Sequence, residues 1–126
     1  MKEFKITYPK EEMISHLLMT PLGKRLYRLE ETEVFLEEPL YFGDVIETRR
    51  KFWGGLEFRR LVKRSGLEVC DFILPLELAA SQELQPLLHR IKEEGGTWEM
   101  MFGGVLITHL PPKSRLDLKK GSWFPR

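Results

Sequence analysis

The chain has a single cysteine, Cys70, among its 126 residues. That excludes an internal disulfide, a CxxC redox pair and a thiolate-rich zinc site, and it suits a reducing compartment. Histidine is also scarce. His16, His89 and His109 are the three present, and none has a ligand-type neighbour at the spacing zinc sites use. No glycine-rich phosphate loop, HExxH helix or dinucleotide fingerprint occurs. No metal and no cofactor is therefore expected. Long apolar runs are missing, and nothing approaches the ~20 residues of a membrane helix. The opening MKEFKITYPKEEM lacks an apolar h-region and a cleavage-like site, so no signal peptide is expected and the cytoplasm is the expected location. Asparagine is absent and glutamine sparse against plentiful Glu, Lys, Arg and Leu, a lean that thermophile chains share.

What is present describes a folded domain. Hydrophobic residues make up 42% and charged residues 31%, outside both the disordered and the membrane ranges. The length fits one domain, 1–126, that buries roughly two thirds of its unfolded surface. The net charge of +1 is unevenly spread. EETEVFLEE, 30–38, carries five acids, while 49–64 carries seven bases against Glu57. The two segments are expected to face each other within the fold or across a homodimer.

Turn signals come at short intervals, with alternation between them. This predicts an antiparallel sheet protein with one helix. EFKITY places Phe4, Ile6 and Tyr8 on one face and reads as a strand. MISHLLMT is a second strand, ending at Pro21, and RLYRLE follows a turn at Gly23. GDVIETRRKFW and LEFRRLVKR are two strands joined at Gly54-Gly55. LEVCDFIL is a strand after the Ser65-Gly66 turn. Ala80, Leu84, Leu87, Leu88 and Ile91 form an apolar stripe at helical spacing within 80–94. Pro86 is tolerated only in a first turn, so a break or a late start near Gln85 is expected, with a stop at Gly95-Gly96. TWEMM and VLITHL form a last hairpin, and Pro111-Pro112 ends the sheet. The tail KSRLDLKKGSWFPR is expected to be partly helical, with Ser114 as its N-cap and with Trp123 and Phe124 docked on the sheet. The fold class is α+β, with a bent antiparallel sheet or small barrel in the N-terminal half. A β-α-β-β unit follows in the C-terminal half, its helix covering one sheet face.

The 49–64 hairpin is the main candidate site. Arg49, Arg50, Lys51, Arg59, Arg60, Lys63 and Arg64 surround Phe52 and Trp53. Such interleaving suits phosphate contacts with base stacking, as in RNA or single-stranded DNA. The plainer reading makes Phe52, Phe58 and Val62 core, with the arginines solvated or paired to 30–38. The expected register sets Phe52 opposite Phe58, Thr48 opposite Val62 and Glu47 opposite Lys63. It leaves Arg50 opposite Arg60 and Lys51 opposite Arg59, a repulsion that an anion would relieve.

Other polar residues read as structural. Cys70 alternates with Phe72 and Leu74 and is expected to be a buried thiol. Asp71 is expected on an edge or surface. Asp44 in YFGDVIE is expected to hold a turn by accepting from nearby backbone N–H groups.

In order along the chain, LYRLEETEVF, YFGDVIET, FRRLVKRSGLEV, the helix, EEGGTWE, VLITHLPP and a final GSW resemble a bacterial family of unknown function, the one numbered forty-two sixty-five. The resemblance covers about 13–123. Its marks are Gly43-Asp44-Val45, Ser65-Gly66, Gly96 with Trp98, and Gly121 with Trp123. The basic hairpin is more charged than that family suggests, and the segment between Pro112 and Gly121 is shorter. The resemblance implies an α+β fold and supplies no catalytic residues.

Three classes of function follow. The first is a non-enzymatic binding or interaction module of unassigned role, with a protein or a nucleic acid as its candidate partner. The second binds nucleic acid through the basic hairpin. The third is a small enzyme in which Cys70 or a histidine meets Asp44 or Asp71 in a pocket.

Overall fold

The computed structural model describes residues 1–116. The fold is α+β, and the chain divides into two compact units, Met1–Ser65 and Gly66–Arg126. The expected tail helix and the docking of Trp123 and Phe124 fall outside the described residues, whereas Ser114, expected as the N-cap, accepts the Leu116 N–H at 3.1 Å.

The first unit is a closed barrel of five strands in the order β1 (Lys2–Tyr8), β2 (Met13–Gly23), β3 (Leu26–Leu29), β4 (Val45–Arg50) and β5 (Leu56–Lys63). An odd number of strands in a strict up-and-down meander leaves the first and last running the same way. Closure is therefore parallel, with Ile6 beside Leu56 and Thr7 beside Glu57. Period-two alternation sends Ile6, Tyr8, Leu17, Met19, Ile46 and Leu56 inward, where they pack with Leu29, Leu36 and Leu40. β2 does not stop at Pro21. It runs on to Gly23 through a bulge, the irregularity at which a strand tolerates a proline without an N–H to give.

The β4–β5 register differs from the expected one. Thr48 faces Phe58, Glu47 faces Arg60, Arg49 faces Glu57 and Arg50 faces Leu56. Regular alternation cannot put Phe58 and Leu61, three residues apart, on the same inner face. A bulge at Arg59 does so, and a second at Val62 turns Lys63 outward opposite Val45. The same shift sets opposite charges across the ladder, so the expected Arg50–Arg60 and Lys51–Arg59 oppositions do not arise.

The second unit starts with β6 (Glu68–Ile73), followed by α1 (Leu76–Ala79), a 3-10 turn at Gln82–Leu84, α2 (Gln85–Glu93), β7 (Thr97–Met101) and β8 (Val105–Leu110). Its sheet has the order β6-β8-β7, antiparallel throughout. The helix starts late, as Pro86 requires, and Ala80 lies before it and is exposed. Leu84, Leu87, Leu88 and Ile91 pack on Leu106 and Leu110 of β8, with Phe72, Trp98 and Met100 beside them. Gly95, at φ 82°, ends the helix in the left-handed conformation. At Gly96 a Cβ would lie 2.5 Å from the His109 carbonyl oxygen and 3.1 Å from Ile91 Cγ2. Only glycine lets the chain leave the helix this close to the central strand.

Candidate functional site

The first unit carries two features that offer a ligand something to hold: the tip of the β4–β5 hairpin and a cavity beside β5.

At the tip, the Lys51 N–H donates to the Gly55 carbonyl at 2.8 Å and the Gly54 N–H to the Lys51 carbonyl at 3.0 Å. This tight loop throws Phe52 fully into solvent, 102% exposed. Phe52 is thus not core, because the turn starts before the strand reaches it. Val62, displaced by its bulge, is exposed as well. Phe58 is partly buried and packs on the barrel core, with its ring 5.7 Å from that of Tyr8. Trp53 folds back so that its ring covers Gly55, and the Lys5 ammonium sits 5.2 Å from the ring centroid. Gly55→Ala places a methyl in the space the ring occupies. We expect it to swing the indole into solvent, lengthen the emission wavelength and raise acrylamide quenching. An unchanged spectrum would show that Gly55 does not seat the ring.

Four of the seven hairpin bases have carboxylate partners. Lys51 meets Glu57 at 2.9 Å, Arg59 meets Glu57 at 3.6 Å and Arg60 meets Glu47 at 3.1 Å. Arg64 meets Asp44 at 2.7 Å and Glu38 at 3.3 Å. The hydrogen bond from Lys51, aided by Arg49 and Arg59, holds the Glu57 carboxyl below its usual range. Whatever this pairing adds is present above the ordinary carboxylate range and lost as the pH falls through the lowered value. Arg49 and Arg50 form no ion pair among the described residues. Being adjacent in a strand, they point to opposite faces. Lys63 stands at the far end of β5.

The expected contact between the acidic and basic segments is made by Arg64 and Glu38. The other acids serve their own surroundings. Glu30 accepts from Thr20 Oγ1 and Arg28 Nε, and Glu31 from the Leu18 N–H. Asp44 behaves as its turn predicts. It is 1% exposed and accepts from the N–H groups of Tyr41 and Ser65, each at 2.9 Å.

The cavity has a volume of about 540 Å³. Its floor is apolar: Tyr8, Leu36, Leu40, Phe58 and Leu61. Its rim is charged, with Lys10, Arg59 and Arg60 against Glu11, Glu37 and Glu38. The bulge at Arg59 makes this combination, since it keeps Phe58 and Leu61 on the floor while the arginine reaches the rim. The Lys10–Glu37 pair at 3.3 Å is open to water, with both side chains more than 70% exposed. Tyr8 accepts a hydrogen bond from Ser15 Oγ at 3.0 Å, and burial pushes its hydroxyl well above the usual tyrosine range. It stays protonated and serves as a polar point on an apolar floor. No local signal in the sequence marks this cavity. Its walls come from the β1–β2 turn, the 36–40 loop and β5.

The residues named for an enzymatic site do not converge within their own units. Cys70 lies opposite Thr108, so alternation puts it and His109 on opposite faces of the sheet. The thiol is half-buried, not buried, because β6 is an edge strand. Asp71 is exposed there. His109 is buried and its Nε2 lies 2.7 Å from Glu99 Oε2. His89 is exposed on α2, 2.9 Å from Glu93, and His16 is exposed on β2. Among the described residues no group of three His, Cys, Asp or Glu side chains is placed to hold a metal ion. No helix among them is long and apolar enough to cross a membrane.

No family model matches the chain, and no curated protein matches it. Among solved structures it is similar to the crystal structure of a hypothetical protein from Neisseria gonorrhoeae. That match has a TM-score of 0.61 and 21% identity, and it covers 96% of this chain and 84% of the other. At that identity the likeness is one of fold.

Proposed function

We propose that this protein is a small cytoplasmic binding module, and that its barrel receives an apolar group in the cavity beside β5. The observation that carries this reading is the cavity itself. Its volume of about 540 Å³ lies within the ~300–1,000 Å³ typical of ligand sites, and an apolar floor meets charges of both signs at the mouth. Membership in the family numbered forty-two sixty-five, which rests on the motifs quoted above, is compatible with such a role.

The test is titration of the full chain with anilinonaphthalene sulfonate, an apolar ring system bearing one anion, followed by amide chemical shifts. Saturable shifts confined to Lys10, Leu36, Leu40 and Phe58–Leu61 are expected. Leu61→Trp, which fills the floor, should abolish them while leaving the amide spectrum folded. Shifts scattered over both units, or none at millimolar probe, would overturn the proposal.

A second reading, single-stranded nucleic acid on the hairpin tip, is favoured by the exposure of Phe52 and Trp53 beside Arg49 and Arg50. Its electrostatic share is smaller than seven bases suggest, because four of them are already paired.

A further inference from the structure

The exposure of Phe52 and the apolar floor of the cavity are complementary, and both belong to the same unit. We infer that the occupant of the cavity is the hairpin tip of a second copy of this chain, exchanged reciprocally in a two-fold dimer. This rests on the binding reading above and names its partner.

Three observations carry it. The first is shape and chemistry. Phe52 is the most exposed large apolar residue described, held outward on a loop closed by its own backbone bonds. The cavity floor, built from Leu36, Leu40, Phe58 and Leu61 around Tyr8, is large enough for a phenyl ring and the neighbouring indole. The second is charge. Arg50 beside the tip forms no ion pair among the described residues, while Glu11 and Glu37 stand on the cavity rim alongside Lys10, Arg59 and Arg60. Glu37 is held only by an exposed lysine, an exchangeable partner in water.

The third is symmetry. The tip precedes Leu56, and the cavity is lined by Phe58–Leu61 further along the same strand. At about 3.3 Å per residue the two lie roughly 15–20 Å apart along β5. A two-fold axis across the middle of that strand brings each tip to the other copy's cavity, so both contacts form together and the assembly closes. A one-way contact would leave a free tip and a free cavity at every step and would grow into chains.

Sedimentation equilibrium of the full chain at low and high salt tests this. A reversible dimer that weakens with salt is expected. Phe52→Asp should raise its dissociation constant at least about 30-fold, the effect of losing a central aromatic anchor. Glu37→Lys should weaken it too, and Glu37→Lys combined with Arg50→Glu should restore it. Phe52 is fully exposed, so Phe52→Asp leaves the barrel folded. A monomer at every concentration, or a dimer indifferent to Phe52→Asp, would overturn the inference. If the wild type is monomeric yet anilinonaphthalene sulfonate still fills the cavity, the binding reading stands and only the partner is wrong. If a monomeric wild type binds single-stranded RNA and Phe52→Asp abolishes that binding, the tip belongs to nucleic acid.

Discussion

Asp44→Ala is expected to destabilise the barrel unit by about 3–5 kcal/mol, the range for breaking a buried charged hydrogen-bond set by removing one partner. The carboxylate is 1% exposed and serves three donors. Its Oδ1 takes the Ser65 N–H, and its Oδ2 takes the Tyr41 N–H and the Arg64 guanidinium. Alanine takes the acceptor from the Tyr41 and Ser65 N–H groups at once and removes the shortest ion pair of Arg64, which keeps Glu38 and the Pro39 carbonyl. Arg64→Ala should lose far less. Its side chain is 41% exposed, so water screens the pair, and the two backbone bonds to Asp44 survive. Chemical denaturation of both variants decides the matter. Equal losses would mean that the ion pair, and not the backbone bonds, carries the effect.

Leu88→Ala is expected to destabilise the second unit by about 2–5 kcal/mol. Leu88 is 5% exposed and packs among Leu84, Leu87, Ile91, Leu106 and Leu110. Truncation removes apolar surface and leaves a cavity between α2 and the sheet. Thermal melting provides the check, and an unchanged midpoint would refute the packing assignment. His89→Ala, next along the helix but 77% exposed, is the control expected to have little effect.

These two sites differ in how plainly the sequence announced them. The α2 stripe was legible because a helix against a sheet leaves a periodic trace, and Pro86 and Gly95 punctuate it at both ends. The alternation of Phe4, Ile6 and Tyr8 likewise marked β1. Asp44 was legible as a turn residue from its Gly-Asp setting. That Ser65, from the other short mark in the FRRLVKRSGLEV stretch, gives its N–H to the same carboxylate is a contact between segments 21 residues apart and leaves no local trace. The β4–β5 register went astray for a related reason. Residues 49–64 read as a regular hairpin because Gly54-Gly55 is a strong turn signal, but bulges are set by what the barrel interior requires of Phe58 and Leu61. The cavity was invisible for the same cause, since Arg59 reaches its rim only by virtue of a bulge.

The parallel closure of the barrel has a consequence for how the unit holds together. Every other barrel pair is a neighbour along the chain, joined by a short turn except where residues 30–44 link β3 to β4. The seam between β1 and β5 instead joins Ile6 to Leu56. Closing a loop of that length costs roughly 3–4 kcal/mol of chain entropy plus a constant, about 2 kcal/mol more than a five-residue hairpin loop. Two residue pairs and one bond from Thr7 Oγ1 to the Leu56 carbonyl, at 3.3 Å, span the seam. So short a ladder is a small offset at ~0.5–1.5 kcal/mol per hydrogen bond. The larger contribution comes from Ile6, Tyr8, Leu56 and Phe58 meeting in the interior. The barrel is thus shut from within, and residues that look like ordinary core also act as its clasp.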